Sequence, residues 1–568
     1  MSMRSYARIG SPLLALLLAS GCYDDGVYED IVALTAARDT QSTDSDGVAE
    51  VTGISTVTGN TSVSSTGEDM TGGGTGSGSG ATTGSSDSTH TAGDAPPSID
   101  EFTVNDELDS TLIKSAGPVV LRAEASDDVG VAHVDFYWDD ELLGSDDEAP
   151  YELSFAVDSH AMNGSHSAYA IAHDGGQASE ASDEVAVKIQ LPLGGSQIWE
   201  AVDSSVFASW AHAVTTDSKG DVIVVGRVAI SGDPAKTRIK IHKYSGSDGK
   251  TLWQREVPSQ VEDPAPQGPS VAHGVAVDSD DNVYVIGDLN PDNDGGHLWV
   301  GKYTADGVSN PEGFYKHPAT LSFGRAITVD RAHGDRVFVA GMLQTLNSNN
   351  GFVAELDPSL DPVWTDTLKG GQIDNNELYA ITVDSTGDLI VTGLFWVSLN
   401  KYRGLIHKYA PNGEPKWWRA ANTPPDTKDA GYGVAIAEND VIVGVGRRAS
   451  PEFEEALWLY KLDASGNELD TLVDNGAMCG HDGCRVAVDM SGNHLVGGAL
   501  ATNKEPDFLV RKMNAEWSEE LWSEAIDGFD KAQDRSLGVA VDQNGYVYGS
   551  GFKTKGGKPR WWVAKFNP

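Results

Sequence analysis

Basic residues are scarce in this sequence. Forty Lys and Arg stand against 84 Asp and Glu, a formal net charge of −44 over 568 residues. A surface that negative repels phosphate backbones, which excludes nucleic acid as a partner. Long apolar runs are scarcer still. The run from Pro12 to Ala19, preceded by Arg4 and Arg8, is too short to span a bilayer and has the flanks of an export signal. Cysteine occurs three times, as Cys22, Cys479 and Cys484. Between Cys479 and Cys484 lie His481 and Asp482, but a structural zinc there lacks two further well-spaced ligands. In an exported chain two thiols this close are expected to form a disulfide. A nucleophile elbow, an HExxH pair, a Walker loop, a dinucleotide fingerprint and a full EF-hand loop are also missing. Pro291 to Gly296 has part of a calcium loop without its distal Glu and reads as a plain hairpin loop. No catalytic residue, metal ligand or cofactor is therefore assigned.

What is present begins at the N-terminus. The small residues Ser20 and Gly21 before Cys22 resemble a bacterial lipobox, and the resemblance implies cleavage in front of Cys22 and lipidation of its thiol. Lipid chains would hold that end at a membrane while the rest stays in water. Tyr23, where an Asp would signal retention, points to the outer membrane of a bacterial cell envelope. From Glu29 to Glu101 there is no aromatic residue, no Lys and one Arg, while Ser, Thr and Gly accumulate. Such a segment cannot bury enough apolar area to offset its ordering entropy and reads as a disordered tether. The expected organisation is a signal peptide over 1–21, a tether over 22–95, a small β-sandwich over 96–193 and a repeat region over 197–568.

After Ala95-Pro96-Pro97 apolar residues alternate, with Val134, Phe136 and Trp138 on one face and Asp135, Tyr137 and Asp139 on the other. The stretch VVLRAEASDDVGVAHVDFYWDDELLGSDDEAPYELSF resembles bacterial immunoglobulin-like domains of secreted proteins, which implies a spacer or adhesion module without catalysis. Asp127-Asp128 and Asp146-Asp147 read as acidic turns rather than calcium ligands.

The rest repeats one phrase. GVAVDSDDNVYVIGD, AITVDSTGDLIVTG, RVAVDMSGNHLVGG and GVAVDQNGYVYGSG are four of its copies. The aspartate that ends each first apolar run falls at Asp217, Asp278, Asp330, Asp384, Asp489 and Asp542, with Ala437 at the fifth place. Nine residues later comes Gly226, Gly287, Gly393, Gly446, Gly498 or Gly551, with Gly341 two later in the third copy. Each copy reads as a strand, an Asp-led turn, a second strand, a third ending like IHKY, and a fourth often bearing Trp, as at Trp253, Trp364, Trp417 and Trp522. Four antiparallel strands recurring about every fifty residues make a propeller blade. The seventh copy runs out of chain before its fourth strand, and Gln197 to Val202 supplies the missing one. The phrase is similar to the seven-bladed propeller repeats called SBBP and to NHL-like repeats, a resemblance specific for fold and nearly silent on function. The fold class expected is all-β, a seven-bladed β-propeller behind an immunoglobulin-like sandwich and a tether.

Five positions before the aspartate stand His212, His273, Arg325, Tyr379, Tyr432, Cys484 and Leu537, with Arg485 beside the sixth. First strands lie innermost in propellers, so these residues would reach one mouth of the central channel. Imidazoles, guanidinium and phenols suit hydrogen bonding and stacking with a sugar or a small anion, and the set has too few carboxylates for calcium or glycosidase chemistry. Two classes of function follow. One is a membrane-anchored, monomeric binding or scaffold lipoprotein that recognises a protein or carbohydrate, and the other is a hydrolase or lyase acting at the channel.

Overall fold

The structure is a computed structural model. It describes residues 95–568 except 115, 158–161, 175–178, 180, 193, 205–206, 231–232, 258–267, 291–294, 319–320, 346–347, 369–374, 399–400, 422–427, 450–454, 480–482, 501–505 and 530–532. The expected signal peptide, Cys22, nearly all of the expected tether, Asp292, Asp294, His481 and Asp482 lie outside the described residues. Apart from short 3-10 turns the described residues are all β, in several separate small sheets, none of which closes on itself. Among them no helix is long and apolar enough to cross a membrane.

The N-terminal unit is a sandwich of two sheets. Ser98–Val104, Gly117–Ser126 and Tyr151–Val157 form one; Ser110–Ile113, Val185–Ile189, Gly164–His173, His133–Trp138 and Glu141–Asp146 form the other. The period-two pattern places Val134 and Phe136 in the core with Leu121, Val104 and Val187, all at most 1% exposed. Asp127 Oδ2 accepts the amides of Val129 and Gly130 at 2.8 and 2.7 Å, the geometry of an Asx turn.

The repeats form four-stranded antiparallel sheets. The fourth, for example, runs Asn376–Val383, Leu389–Ser398, Lys401–Tyr409 and Pro415–Ala420 in spatial order. The last sheet consists of Arg535–Val541, Val547–Lys555, Lys558–Phe566 and then Gln197–Val202, whose Trp199 pairs with Lys565. Repeats five and six depart from seven separate sheets by sharing one, because Ala477 and Met478 at the end of the fifth repeat's fourth strand pair with Leu500 and Ala499. They take the edge left open where the sixth first strand shrinks to Arg485–Val488 beyond the Cys479–Cys484 disulfide. First strands touch in chain order: Ser209–Thr216 meets Val271–Val277, and so on through Ser322–Asp330, Asn376–Val383, Ala430–Ala437, Arg485–Val488 and Arg535–Val541. That last strand in turn packs on Ser209–Thr216.

Three devices recur in the repeats. First, the aspartate organises its turn: Asp489 Oδ1 accepts the amides of Ser491 and Asn493 at 3.0 and 2.8 Å, and Gly492 closes the turn at φ 78°. Its Oδ2 faces the lysine of the third-strand motif, with Lys512 2.9 Å away, as Lys243 and Lys408 each lie 2.6 Å from Asp217 and Asp384. Where the third copy has Glu355 in place of that lysine, His333 Nδ1 sits 2.9 Å from Asp330 and Glu355 turns to Arg336. Second, the fourth-strand Trp seats itself under a turn glycine of the neighbouring repeat. Trp253 Nε1 donates to Ala305 O at 2.9 Å, and a Cβ on Gly307 would lie 2.5 Å from its ring. Trp199, Trp364, Trp417 and Trp522 meet Gly249, Gly413, Gly466 and Gly195 likewise, which is how successive sheets interlock. Third, each first strand except the sixth carries a bulge, for example between Leu378 and Ala380. The glycine facing it is obligatory, since a Cβ on Gly393 would sit 1.9 Å from Glu377 O.

Candidate functional site

The residues displaced by those bulges are His212, His273, Arg325, Tyr379, Tyr432 and Leu537. A bulged residue is left out of the ladder and its side chain is re-aimed. Here the bulges surround a cavity of about 230 Å³, lined by backbone and side chains of all seven first strands, among them His273, Arg325, Tyr379 and Arg485. His212 and Tyr432 lie directly behind this wall, the His212 and His273 rings being 5.5 Å apart and those of Tyr379 and Tyr432 5.0 Å. All six candidate side chains thus belong to one cluster. Leu537 is buried, and Cys484 is bonded to Cys479.

The electrostatics of this cluster are cationic. Arg325 Nη1 lies 2.7 Å from His273 Nε2, and since a guanidinium only donates, Nε2 accepts and the imidazole is neutral. Burial and the Arg325 charge hold the His273 pKa below its usual value, against the pull of Asp288. Burial pushes His212 well down too, helped by Arg227, His273, Arg485 and Arg325, and its Nε2 is buried without a hydrogen-bond partner. The Tyr379 hydroxyl donates to Glu377 Oε2 at 2.5 Å, and burial with that carboxylate raises its pKa well above normal. Arg485 Nη1 donates to the carbonyls of Tyr432 and Cys484 at 2.9 and 3.0 Å. Burial lowers its pKa to about 10, which leaves it charged at neutral pH. Among the described residues no carboxylate pairs with it.

Three groups escaped the sequence reading. Arg227 lies 4.2 Å over the Trp210 ring with its buried Nε unpartnered. Asp288 accepts the Gly324 amide at 2.8 Å and approaches Arg325 Nη1 at 3.3 Å. Glu377 holds Tyr379 and receives Asn349 Nδ2 at 3.0 Å. Arg227 and Asp288 each directly follow the repeat glycine, a column that marks the second-strand residue beside the bulge. Three guanidinium groups, those of Arg227, Arg325 and Arg485, thus stand here against the two engaged carboxylates of Asp288 and Glu377. Two adjacent tryptophans, Trp561 and Trp562, are fully buried, and the fourth-strand Trp417 packs on Gly466, so none of these rings belongs to the cluster.

A family model for a bacterial Ig domain matches residues 103–170. That part of the chain is a bacterial Ig domain. Such a domain is in keeping with a protein of the bacterial surface or exterior. No curated protein matches the chain. Among solved structures, a protein of unknown function from Dyadobacter fermentans is similar over 66% of this chain and 98% of its own, at 14% identity and a TM-score of 0.41. The fibronectin(III)-like modules of Clostridium thermocellum CbhA match 16% of this chain and 97% of theirs, at 30% identity and a TM-score of 0.14. The polysaccharide lyase Uly1 matches 63% of this chain and 90% of its own, at 12% identity and a TM-score of 0.42. These are distant likenesses among all-β proteins, and the chemistry of the site rests on its own geometry.

Proposed function

We propose that this chain is a binding lipoprotein of the bacterial cell envelope, held at a membrane through Cys22 and spaced from it by the tether and the bacterial Ig domain. In this reading the repeat sheets are the blades of a seven-bladed β-propeller. The sequential contacts of the first strands, the contact of the last with the first, and the pairing of Gln197–Val202 with Lys558–Phe566 support that arrangement. The central cavity takes the carboxylate of an acidic sugar. Arg485 carries this assignment, as a charged group at the cavity wall whose observed hydrogen bonds go to two backbone carbonyls. A guanidinium in that state gains most from a bidentate anion, and Arg325 beside it offers a second charge. The flat rings of Tyr379 and His273 offer stacking surfaces to a pyranose.

Titration calorimetry with uronic acids and their oligomers tests the ligand. Arg485→Ala is expected to weaken binding by roughly 10- to 100-fold, the value of a charged hydrogen bond, with neutral sugars bound equally weakly by both forms. Absence of any uronate binding by the folded wild type overturns the proposal. The anchor has its own test, in which Cys22→Ala moves the protein from the membrane to the soluble fraction; equal recovery in membranes refutes lipidation.

One observation favours a second reading, that of a lyase: His212, directly behind the cavity wall, has its pKa held well below normal by burial and keeps an Nε2 without a hydrogen-bond partner. With its ring turned through the wall, such an imidazole takes the proton next to the carboxylate, a carbon–carbon double bond forms as the glycosidic C–O bond breaks, and the imidazolium so formed, or water, gives the leaving oxygen its proton. Ultraviolet absorbance from the conjugated product distinguishes turnover from binding.

A further inference from the structure

The outer face of the Ig domain carries a second constellation. In the five-stranded sheet His133 pairs directly across from His173, and Asp135 follows two residues along the same strand, hence on the same face as His133. Their exposures are intermediate, with side chains at 38% for His133, 14% for Asp135 and 27% for His173. The two imidazoles are stacked with centroids 4.5 Å apart and planes 7° from parallel, and the Nε2 of each approaches the same Asp135 carboxylate. His133 Nε2 lies 3.7 Å from Asp135 Oδ1 and His173 Nε2 3.1 Å from Oδ2, and one donor atom from each residue falls within 4.8 Å of the others. His173 Nε2 is buried without a hydrogen bond, for although Asp135 is near, the angle is wrong for one. Ser145 Oγ donates to Asp135 Oδ1 at 2.5 Å and fixes the carboxylate.

We propose that His133, Asp135 and His173 form a binding site for a divalent transition-metal ion of the zinc class on the exposed face of the Ig domain. Two imidazoles and one carboxylate are donors for Zn²⁺, Cu²⁺ or Ni²⁺ rather than for Ca²⁺ or Mg²⁺, which take oxygen. With metal–ligand bonds of about 2.0–2.2 Å, tetrahedral donors stand about 3.3 Å apart. The nitrogen–oxygen distances of 3.1 and 3.7 Å bracket that spacing, and binding requires the two stacked rings to turn out of their parallel arrangement so that both nitrogens face one ion. Ser145 supplies the outer hydrogen bond that orients a ligating carboxylate. Three protein donors leave the fourth position to water or to a donor from a partner. Among the described residues no other group of three His, Cys, Asp or Glu has this spacing.

The test uses the untagged full chain, freed of metal with a chelator. Zn²⁺ is titrated by calorimetry, and Co²⁺ binding is followed by its visible absorption, in the wild type, His173→Gln, His133→Gln and Asp135→Asn. The wild type is expected to take up one equivalent of Zn²⁺ that each variant binds at least about 10-fold more weakly, and Zn²⁺ is expected to raise the melting temperature of the wild type alone. Ser145→Ala, which leaves all three donors, is expected to weaken binding to a lesser degree. Equal stoichiometry and affinity in the wild type and the histidine variants, or Co²⁺ absorption unchanged between them, overturns the site. His212→Gln and His273→Gln leave the titration unchanged if the proposal holds, and abolish it if the ion sits among the repeats.

Discussion

A chain lacking residues 197–202 unfolds at a markedly lower temperature and denaturant concentration than the intact protein, and its repeat region loses a single sharp transition. The deletion strips the ladder from Lys558–Phe566 and turns a covered strand into an exposed edge. It also removes Trp199, whose Nε1 donates to Gly246 O at 3.1 Å and whose ring lies between Tyr244 and Tyr548, the link from the last sheet to the first. Glu200 goes too, leaving Lys553 Nζ and Trp562 Nε1, now 2.8 and 2.7 Å from its Oε2, without their acceptor. Loss of a buried Trp costs about 3–5 kcal/mol, and loss of Glu200, whose side chain is 38% exposed and so partly screened, adds about 1 kcal/mol more. Together these approach the whole stability of an ordinary domain. Urea unfolding followed by Trp fluorescence reads the effect, and an unchanged midpoint and slope would mean that the strand is an ornament of the last sheet.

Asp489→Ala is expected to destabilise the protein by about 3–5 kcal/mol, since it leaves a buried charge without its partner. Lys512 is 0% exposed, and Asp489 Oδ2 is the carboxylate within 2.9 Å of its ammonium. The substitution also frees the amides of Ser491 and Asn493. Adding Lys512→Met removes the stranded charge and is expected to return part of the loss, so that the two changes are not additive. Chemical denaturation of the two single variants and the double variant measures this. Additive losses would show that the pair does not interact.

Local chemistry was readable in the sequence and cross-strand chemistry was not. An Asp whose carboxylate accepts the amides of its own turn, as Asp384 does for Thr386 and Asp388, acts over four residues and recurs at a fixed spacing, so its role can be read from the text. The lysine facing it stands in a third strand, at a distance that varies with loop length, and its column was visible without its partner. The copies aligned well enough to select His212, His273, Arg325, Tyr379 and Tyr432, but the reason for that column is a bulge, which periodicity does not state. Arg227 and Asp288 were missed because one column holds Arg, Asp, Met, Leu, Arg, Ala and Phe in turn and looks like noise. The merger of the fifth and sixth sheets was unreadable for a related cause. The disulfide that was expected at Cys479 and Cys484 consumes the start of a strand, and only the folded chain shows which neighbour fills the gap.

The bulges also separate two kinds of selection on this chain. Every residue that faces the cavity from a bulge sits outside the hydrogen-bonded ladder, while the glycine opposite it, the turn aspartate and the interlocking Trp hold the sheets regardless of what that residue is. Leu537 and Tyr379 occupy equivalent places with no shared chemistry, and each stands in a four-stranded sheet of its own. Mutation can therefore rewrite the cavity one position at a time, trading an imidazole for a phenol or a guanidinium, without passing through an unfolded intermediate. Under the proposed function, the ligand can change while the shape stays.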